Sequence, residues 1–317
     1  MARTADPPRD EGFGPAGTAG RIAWCSFNDA TTHTWEELGA SFRPAESGSG
    51  GSTTGLLLQT CHRVEWYEAE PATAAVAPLP IRLARRITGH EAAASRLARI
   101  AAGTMSLILG EQFVFQQVRT AFDRLPGGHP LRSVGDEVLL LASQARDRFG
   151  LHAGLDYRHL ARTLLGASVV HPDNLVVVGG GMLARAVAEE LGSDRRVFVL
   201  TRSPKKLRRV LPDASGRATV LRITELPDTV KRSGYDLVLA TSGLTPMYRE
   251  HIARLVDDGS RHQVVDLCAT PVLRDRPNYQ HLHHPAVTHL IEDANRPTVE
   301  AARAASSWIE NHYGGRS

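Results

Sequence analysis

Cys61 stands at the end of an apolar run, GLLLQ at 55–59, and is followed by His62 and Arg63. A thiolate is the nucleophile in cysteine chemistry, and adjacent positive charge lowers a thiol pKa toward neutrality. Taken alone, a small buried residue at a strand end is the plainer account of such a cysteine. Cys25 and Cys268 lack basic neighbours and are assigned to packing. A second set of residues belongs to anion binding. Gly179, Gly180 and Gly181, with Met182, Leu183 and Ala184, form a GxGxxA turn between an apolar run and an amphipathic one. Such glycines let backbone approach a pyrophosphate, which then rests on the helix N-terminus. About twenty residues on, an NAD site would carry a carboxylate for the ribose 2′-hydroxyl. Here stand Thr201, Arg202, Ser203, Lys205 and Lys206. That set suits a 2′-phosphate, so the expected cofactor is NADPH. A solvated basic helix start is the alternative.

These residues need two kinds of scaffold. RIAWCSF at 21–27 and GLLLQ read as strands, and THTWEELGASF reads as a helix capped by Thr32 or Thr34. From about 79 to 150 apolar residues recur at helical spacing. From 171 the pattern becomes strand, glycine turn and helix, then further apolar runs at ATVLRI, YDLVLATSG and HQVVDLCA. Such βα alternation predicts a doubly wound parallel sheet. The expected fold is therefore α/β. Its parts are a disordered arm at 1–19, an α+β catalytic domain at 20–160, a Rossmann-type domain at 161–290 and a truncated C-terminal helix at 291–317.

The composition fits this reading. The 317 residues are 42% hydrophobic, enough for two cores, and no 18-residue uncharged apolar run is present. The first twenty residues lack the apolar stretch of a signal peptide. Three cysteines, far apart and odd in number, argue against a disulfide framework and a CxxC metal site. Cytoplasmic location follows as the default, with no membrane and no DNA partner. His281, His283 and His284 are expected in a solvent-exposed loop, and no metal is assigned.

Thr60-Cys61-His62-Arg63-Val64-Glu65-Trp66-Tyr67 resembles the TCNRxExY signature of glutamyl-tRNA reductases. Ser106 through Gly110-Glu111, continuing to Gln117-Val118-Arg119 and Ala121-Phe122, is similar to that family's S-x-x-x-G-E…Q-V-K-x-A-F segment. The glycine turn, the Thr201-Arg202-Ser203 strand end and Thr241-Ser242 fall in the family's order. The resemblance implies attack by Cys61 on a charged tRNA, a thioester, and NADPH-dependent reduction to an amino aldehyde. In the family that product is glutamate-1-semialdehyde, for tetrapyrrole biosynthesis. It implies substrate roles for Thr60, His62, Arg63, Arg96, Ser106, Glu111 and Gln112, and cofactor roles for Gly179 to Leu183, Thr201 to Ser203, Lys205, Thr241 and Ser242.

The chain departs from the family at several points. His62 replaces an asparagine, and Arg96 stands where the family has a histidine. Gln112 is one position early, with Phe113 in the family's glutamine place. His90 could supply an imidazole only with a different backbone, and is expected as a solvent-exposed helix-start residue. Arginines 82, 85, 86, 96, 99, 146, 148, 158 and 162 are candidates for a tRNA backbone, with solvated helix faces accounting for half. The final helix, with Val299, Ala302, Ala305 and Ile309 on one stripe, is expected to dock on the Rossmann domain. A monomer or a dimer unlike the family's follows. Rival functions are a paralogue acting on another aminoacyl- or peptidyl-tRNA, a non-reducing tRNA-binding regulator, and an NADPH dehydrogenase for a free small molecule.

Overall fold

The computed structural model describes residues 20–29, 55–60, 63–70, 85–166, 172–211, 218–241, 246–257, 263–268, 271–273, 276 and 278–315. Outside them lie the arm at 1–19, the helix expected near Thr32, and Cys61, His62, Arg82 and Ser242.

The first unit opens with a four-stranded antiparallel sheet of β1 (Ile22–Asp29), β2 (Gly55–Gln59), β3 (Arg63–Ala69) and β4 (Arg85–Thr88), in the order β2-β3-β1-β4. β4 corrects the expectation of continuous helix from 79. Arg85–Thr88 pairs with Trp24–Phe27, and an edge strand this short is too brief to show period-2 alternation. Three helices follow: α1 (His90–Ala102), α2 (Phe113–Asp123) and α3 (Leu131–Phe149). Their apolar stripes close one core over the sheet, with Tyr67, Leu97, Val118 and Val138 buried in it.

The second unit is a six-stranded, all-parallel sheet. Its strands are β5 (Asn174–Val178), β6 (Arg196–Thr201), β7 (Ala218–Arg222), β8 (Asp236–Leu239), β9 (Val264–Asp266) and β10 (Tyr279–His281). The order β10-β9-β8-β5-β6-β7 reverses direction beside β5. A ligand crevice is expected at that switch point, outside the carboxyl ends of β5 and β8. β5 is buried along its whole length, as a central parallel strand must be. The helices α4 (Tyr157–Gly166), α5 (Met182–Leu191), α6 (Pro204–Arg208), α7 (Asp228–Ser233), α8 (Pro246–Asp257) and α9 (Pro285–Asn295) complete this unit. β10 replaces part of the expected histidine loop. His281 lies on the strand, stacked near Tyr279 at 5.5 Å, while His283 and His284 follow in the turn.

Both expected domain boundaries fall inside helices. α4 straddles 160/161 and packs with α5 in the second core, and α9 straddles 290/291 and packs there too. The last helix, α10 (Val299–Gly314), crosses back. Ala302, Ala305, Ile309 and Tyr313 pack against α1 and α3, so this helix docks on the first unit instead of the Rossmann unit. The narrow alanine stripe fits there because α1 presents its own small residues, Ala94, Ala98 and Ala101. Among the described residues no helix is long and apolar enough to cross a membrane.

Candidate active site

A small cavity of about 20 Å³ lies where the two units meet, lined by Thr60, Arg63, Ser106, Glu111, Phe113, Val114, Gln117, Tyr157 and Leu183. Chain enters from β2 at Thr60 and re-enters β3 at Arg63. The Thr60 N–H donates to the Arg63 carbonyl at 2.9 Å, and Thr60 Oγ1 accepts the Arg63 N–H at 3.2 Å. This reciprocal pair holds both residues that flank Cys61 and His62 in sequence. Arg63 Nη2 donates to the Met105 carbonyl, whereas Nη1 is buried with no partner among the described residues. A buried guanidinium nitrogen left open is costly unless a ligand satisfies it, and a carboxylate is its natural complement.

Ser106 is carried on a loop between α1 and α2 that two side chains grip. Arg146, buried on α3, donates to the carbonyls of Ala102 (3.1 Å), Gly110 (2.7 Å) and Glu111 (3.1 Å). Asn295, at the end of α9, donates to the Leu107 carbonyl (2.8 Å) and accepts the Leu109 N–H (2.9 Å). Gly110 turns the loop at φ +73, where a Cβ would meet Leu151 backbone at 3.1 Å. Glu111 then starts α2. Its carboxylate accepts the N–H groups of Phe113 (2.6 Å) and Val114 (3.0 Å), which the helix itself leaves unsatisfied. Burial pushes this carboxyl up to about 7, against those two bonds and the charges of Arg146 and Arg63.

Several sequence expectations are redirected. Arg96 lines neither this cavity nor the larger cleft. It pairs bidentately with the fully buried Glu65, at 2.8 and 2.9 Å, and stacks over Phe27 at 3.5 Å. Tyr67 donates to the same carboxylate at 2.6 Å. A buried carboxylate needs such partners, and they use up the Arg96 fork. Gln112 is exposed at the helix start, and Phe113 and Gln117 take up the cavity wall. His90 is half-buried and accepts the Ile22 N–H at 3.1 Å, and burial lowers its pKa. Cys25 is a buried thiol that burial and Glu65 push up to about 12, and Cys268 is buried as well. The arginines proposed for a tRNA backbone are largely engaged. Arg146 holds carbonyls, Arg158 pairs with Asp156, Arg162 with Glu190 and Arg99 with Glu310. Arg86 stacks on Trp24 and Arg148 on Trp308.

The second feature is a cleft of about 530 Å³ at the switch point. Gly179, Gly180, Gly181, Met182, Leu183, Thr201, Arg202, Ser203 and Thr241 all line it, while Lys206 takes the place expected for Lys205. Gly179 has φ +146, and a Cβ there would fall 2.3 Å from the Ala240 carbonyl oxygen. At Gly180 a Cβ would fall 2.7 Å from Thr201 Oγ1. Close packing on Ala240 and Thr201 thus requires the first two glycines, whereas a Cβ at Gly181 would meet nothing within 4 Å. Arg124, Arg185, Arg202 and Lys206 line the cleft, and among the described residues no carboxylate lines it and Arg185 Nε is buried without a partner. The residues present therefore fit a phosphate-bearing dinucleotide, with Leu207, Val210 and Ile223 offering apolar surface to a base. Sequence reasoning placed Gln117 in a motif without giving it a site role, and missed Thr120, Arg124 and Arg185. Gln117, Thr120 and Arg124 recur at i, i+3 and i+7, one polar stripe that helical periodicity could have exposed. Thr60, Gln117 and Leu183 line both the cavity and the cleft.

Residues 29–129 match the family described as glutamyl-tRNAGlu reductase, N-terminal domain. Protein nfe2 of Rhizobium meliloti is 28% identical over 226 residues, 69% of this chain and 72% of that protein. A glutamyl-tRNA reductase of Pyrobaculum islandicum is 26% identical over 221 residues, 63% of this chain and 54% of that protein. One from Methanopyrus kandleri is 31% identical over 205 residues, 61% of this chain and 49% of that protein. The chain thus spans about half the length of the curated reductases it matches. The matched N-terminal segment contains the Thr60–Arg63 and Ser106–Glu111 stretches that build the cavity, and relatives of one name recur across organisms. On that footing the chain is similar to glutamyl-tRNA reductases, and its residues 29–129 match that family's N-terminal domain.

Proposed function

We propose that this protein is an NADPH-dependent reductase of an aminoacyl-tRNA, with glutamyl-tRNA the default substrate, acting in the cytoplasm through a thioester on Cys61. The observation that carries this reading is the shared wall. Thr60, Gln117 and Leu183 belong both to the cavity beside Arg63 and to the cleft of the glycine turn. The Cys61 thiolate attacks the ester carbonyl. A C–S bond forms, the C–O bond to the terminal ribose breaks, and the ribose oxygen takes up from water a proton equivalent to the one the thiol released, so the tRNA leaves as the alcohol. NADPH, when bound, supplies a hydride that turns the thioester into an aldehyde and returns the thiolate. Arg63 directs its open Nη1 to a carboxylate of the aminoacyl group, and its charge favours the thiolate. Ser106, on the gripped loop, offers a hydroxyl to the amino end. The glycine turn, Arg202, Ser203 and Lys206 hold the cofactor phosphates.

Incubating the protein with charged tRNA and NADPH, and trapping the aldehyde, tests the reading. Cys61→Ser should lose aldehyde formation at least a hundredfold while retaining dinucleotide binding. Substantial turnover by that variant would rule out the thioester route. Without NADPH the native protein should release free amino acid from charged tRNA, dependent on Cys61. A second reading is favoured by Phe113 and Tyr157, which give the cavity aromatic walls: a paralogue acting on another aminoacyl-tRNA. A panel of charged tRNAs separates the two.

A further inference from the structure

We propose that the dinucleotide site is completed by the first unit: Arg124, at the end of α2, binds the bridging phosphates, so the cofactor is held between both units. This rests on the cofactor reading above. The cleft carries more positive charge than one 2′-phosphate needs. Arg202 and Lys206 lie beyond β6, at the adenosine end of a bound dinucleotide. That leaves Arg185 and Arg124, and among the described residues no carboxylate lines the cleft to neutralise either. Arg185, in the first turns of α5, has a buried Nε without a partner among the described residues. Arg124 comes from the other unit. Other arginines of that unit are occupied, Arg96 by Glu65, Arg99 by Glu310, and Arg132 and Arg146 by carbonyls. Arg124 has no side-chain hydrogen bond or ion pair among the described residues.

Its place along α2 selects the phosphates as its target. Gln117, Thr120 and Arg124 follow one face, and all three line the cleft. Gln117 also lines the cavity beside Arg63, where the reacting end of a dinucleotide must come. Arg124 is seven residues further on, about 10 Å along the helix axis. A cation displaced that far from the reacting ring meets the phosphates beyond the first ribose. The strand of anionic charge in a tRNA acceptor end is the rival occupant. The glycine turn argues against it, because Gly179, Gly180 and Gly181 line the cleft without side chains just before α5, where a dinucleotide pyrophosphate sits.

Isothermal titration of the full chain with NADPH and with NADH decides the matter. Arg124→Ala should weaken both cofactors by the same factor, about ten- to a hundredfold, because the bridging phosphates are common to them. Arg202→Ala should weaken NADPH alone. The affinity of Arg124→Ala should also depend less steeply on salt than that of the native protein. Arg124 is exposed, so the melting temperature should not move. Unchanged affinity in Arg124→Ala, a loss confined to NADPH, or a loss of charged-tRNA binding with dinucleotide binding intact would each overturn the proposal. If the native protein binds neither cofactor, the function proposed above falls with it. If the native protein binds and only Arg124→Ala is silent, that function stands and this proposal alone fails.

Discussion

At Glu111 burial raises the carboxyl while two backbone N–H groups and two arginines draw it down, and burial prevails at about 7. The ordinary value is 4.5, so between pH 4.5 and 7 the folded chain keeps a proton that the unfolded chain has released. Stability therefore falls as pH rises across that window, by up to about 1.4 kcal/mol per pH unit, and levels off above 7. Glu111→Gln should remove this slope. Urea unfolding at pH 5 and pH 7 measures it, and an unchanged difference between the two would refute the assignment. Arg96 shows the opposite case. Its charge is spent on Glu65, so a residue expected at the substrate forms a structural ion pair instead.

The loop between α1 and α2 owes its shape to elements far from it in sequence. Arg146 reaches from α3 to three carbonyls, and each would be left without that donor if the guanidinium were removed. Arg146→Met keeps the stem and deletes the donors. The expected cost is about 3 kcal/mol or more in chemical denaturation, because buried acceptors lose charged partners. Amide exchange across 103–111 should rise while the Rossmann strands stay protected. Uniform exchange everywhere would show that Arg146 acts on global stability instead of the loop.

Across the whole molecule the two units are joined at the site itself. Asn295 ends a helix of the second core and clasps the loop that carries Ser106 in the first, and the chain then returns along α10 to pack on α1 and α3. Asn295→Ala deletes both bonds across the junction. The expected outcome is a several-fold rise in KM for charged tRNA, with dinucleotide affinity unchanged by titration. Equal loss of both affinities would place its effect in general stability.

Much was legible from local pattern. The glycine turn, the buried run NLVVV and the amphipathic helix after it announce a dinucleotide fold because strand, turn and helix are each set by neighbouring residues. Basic residues past β6 were readable for the same reason, their spacing from the turn being set by one βα unit. Arg63, Ser106 and Glu111 were readable through motif, and the structure brings them to one cavity. Only tertiary structure decided the rest. Whether Arg96 faces a substrate or Glu65 depends on a strand 31 residues away, and Arg146 meets its carbonyls from up to 44 residues away. α10 returns to the first unit because matching small residues await it there, a pairing its own stripe cannot reveal. Arg124 reaches the cleft of the glycine turn only once α2 is laid against another unit's switch point. Periodicity reports which face of an element is covered, and packing alone determines what covers it.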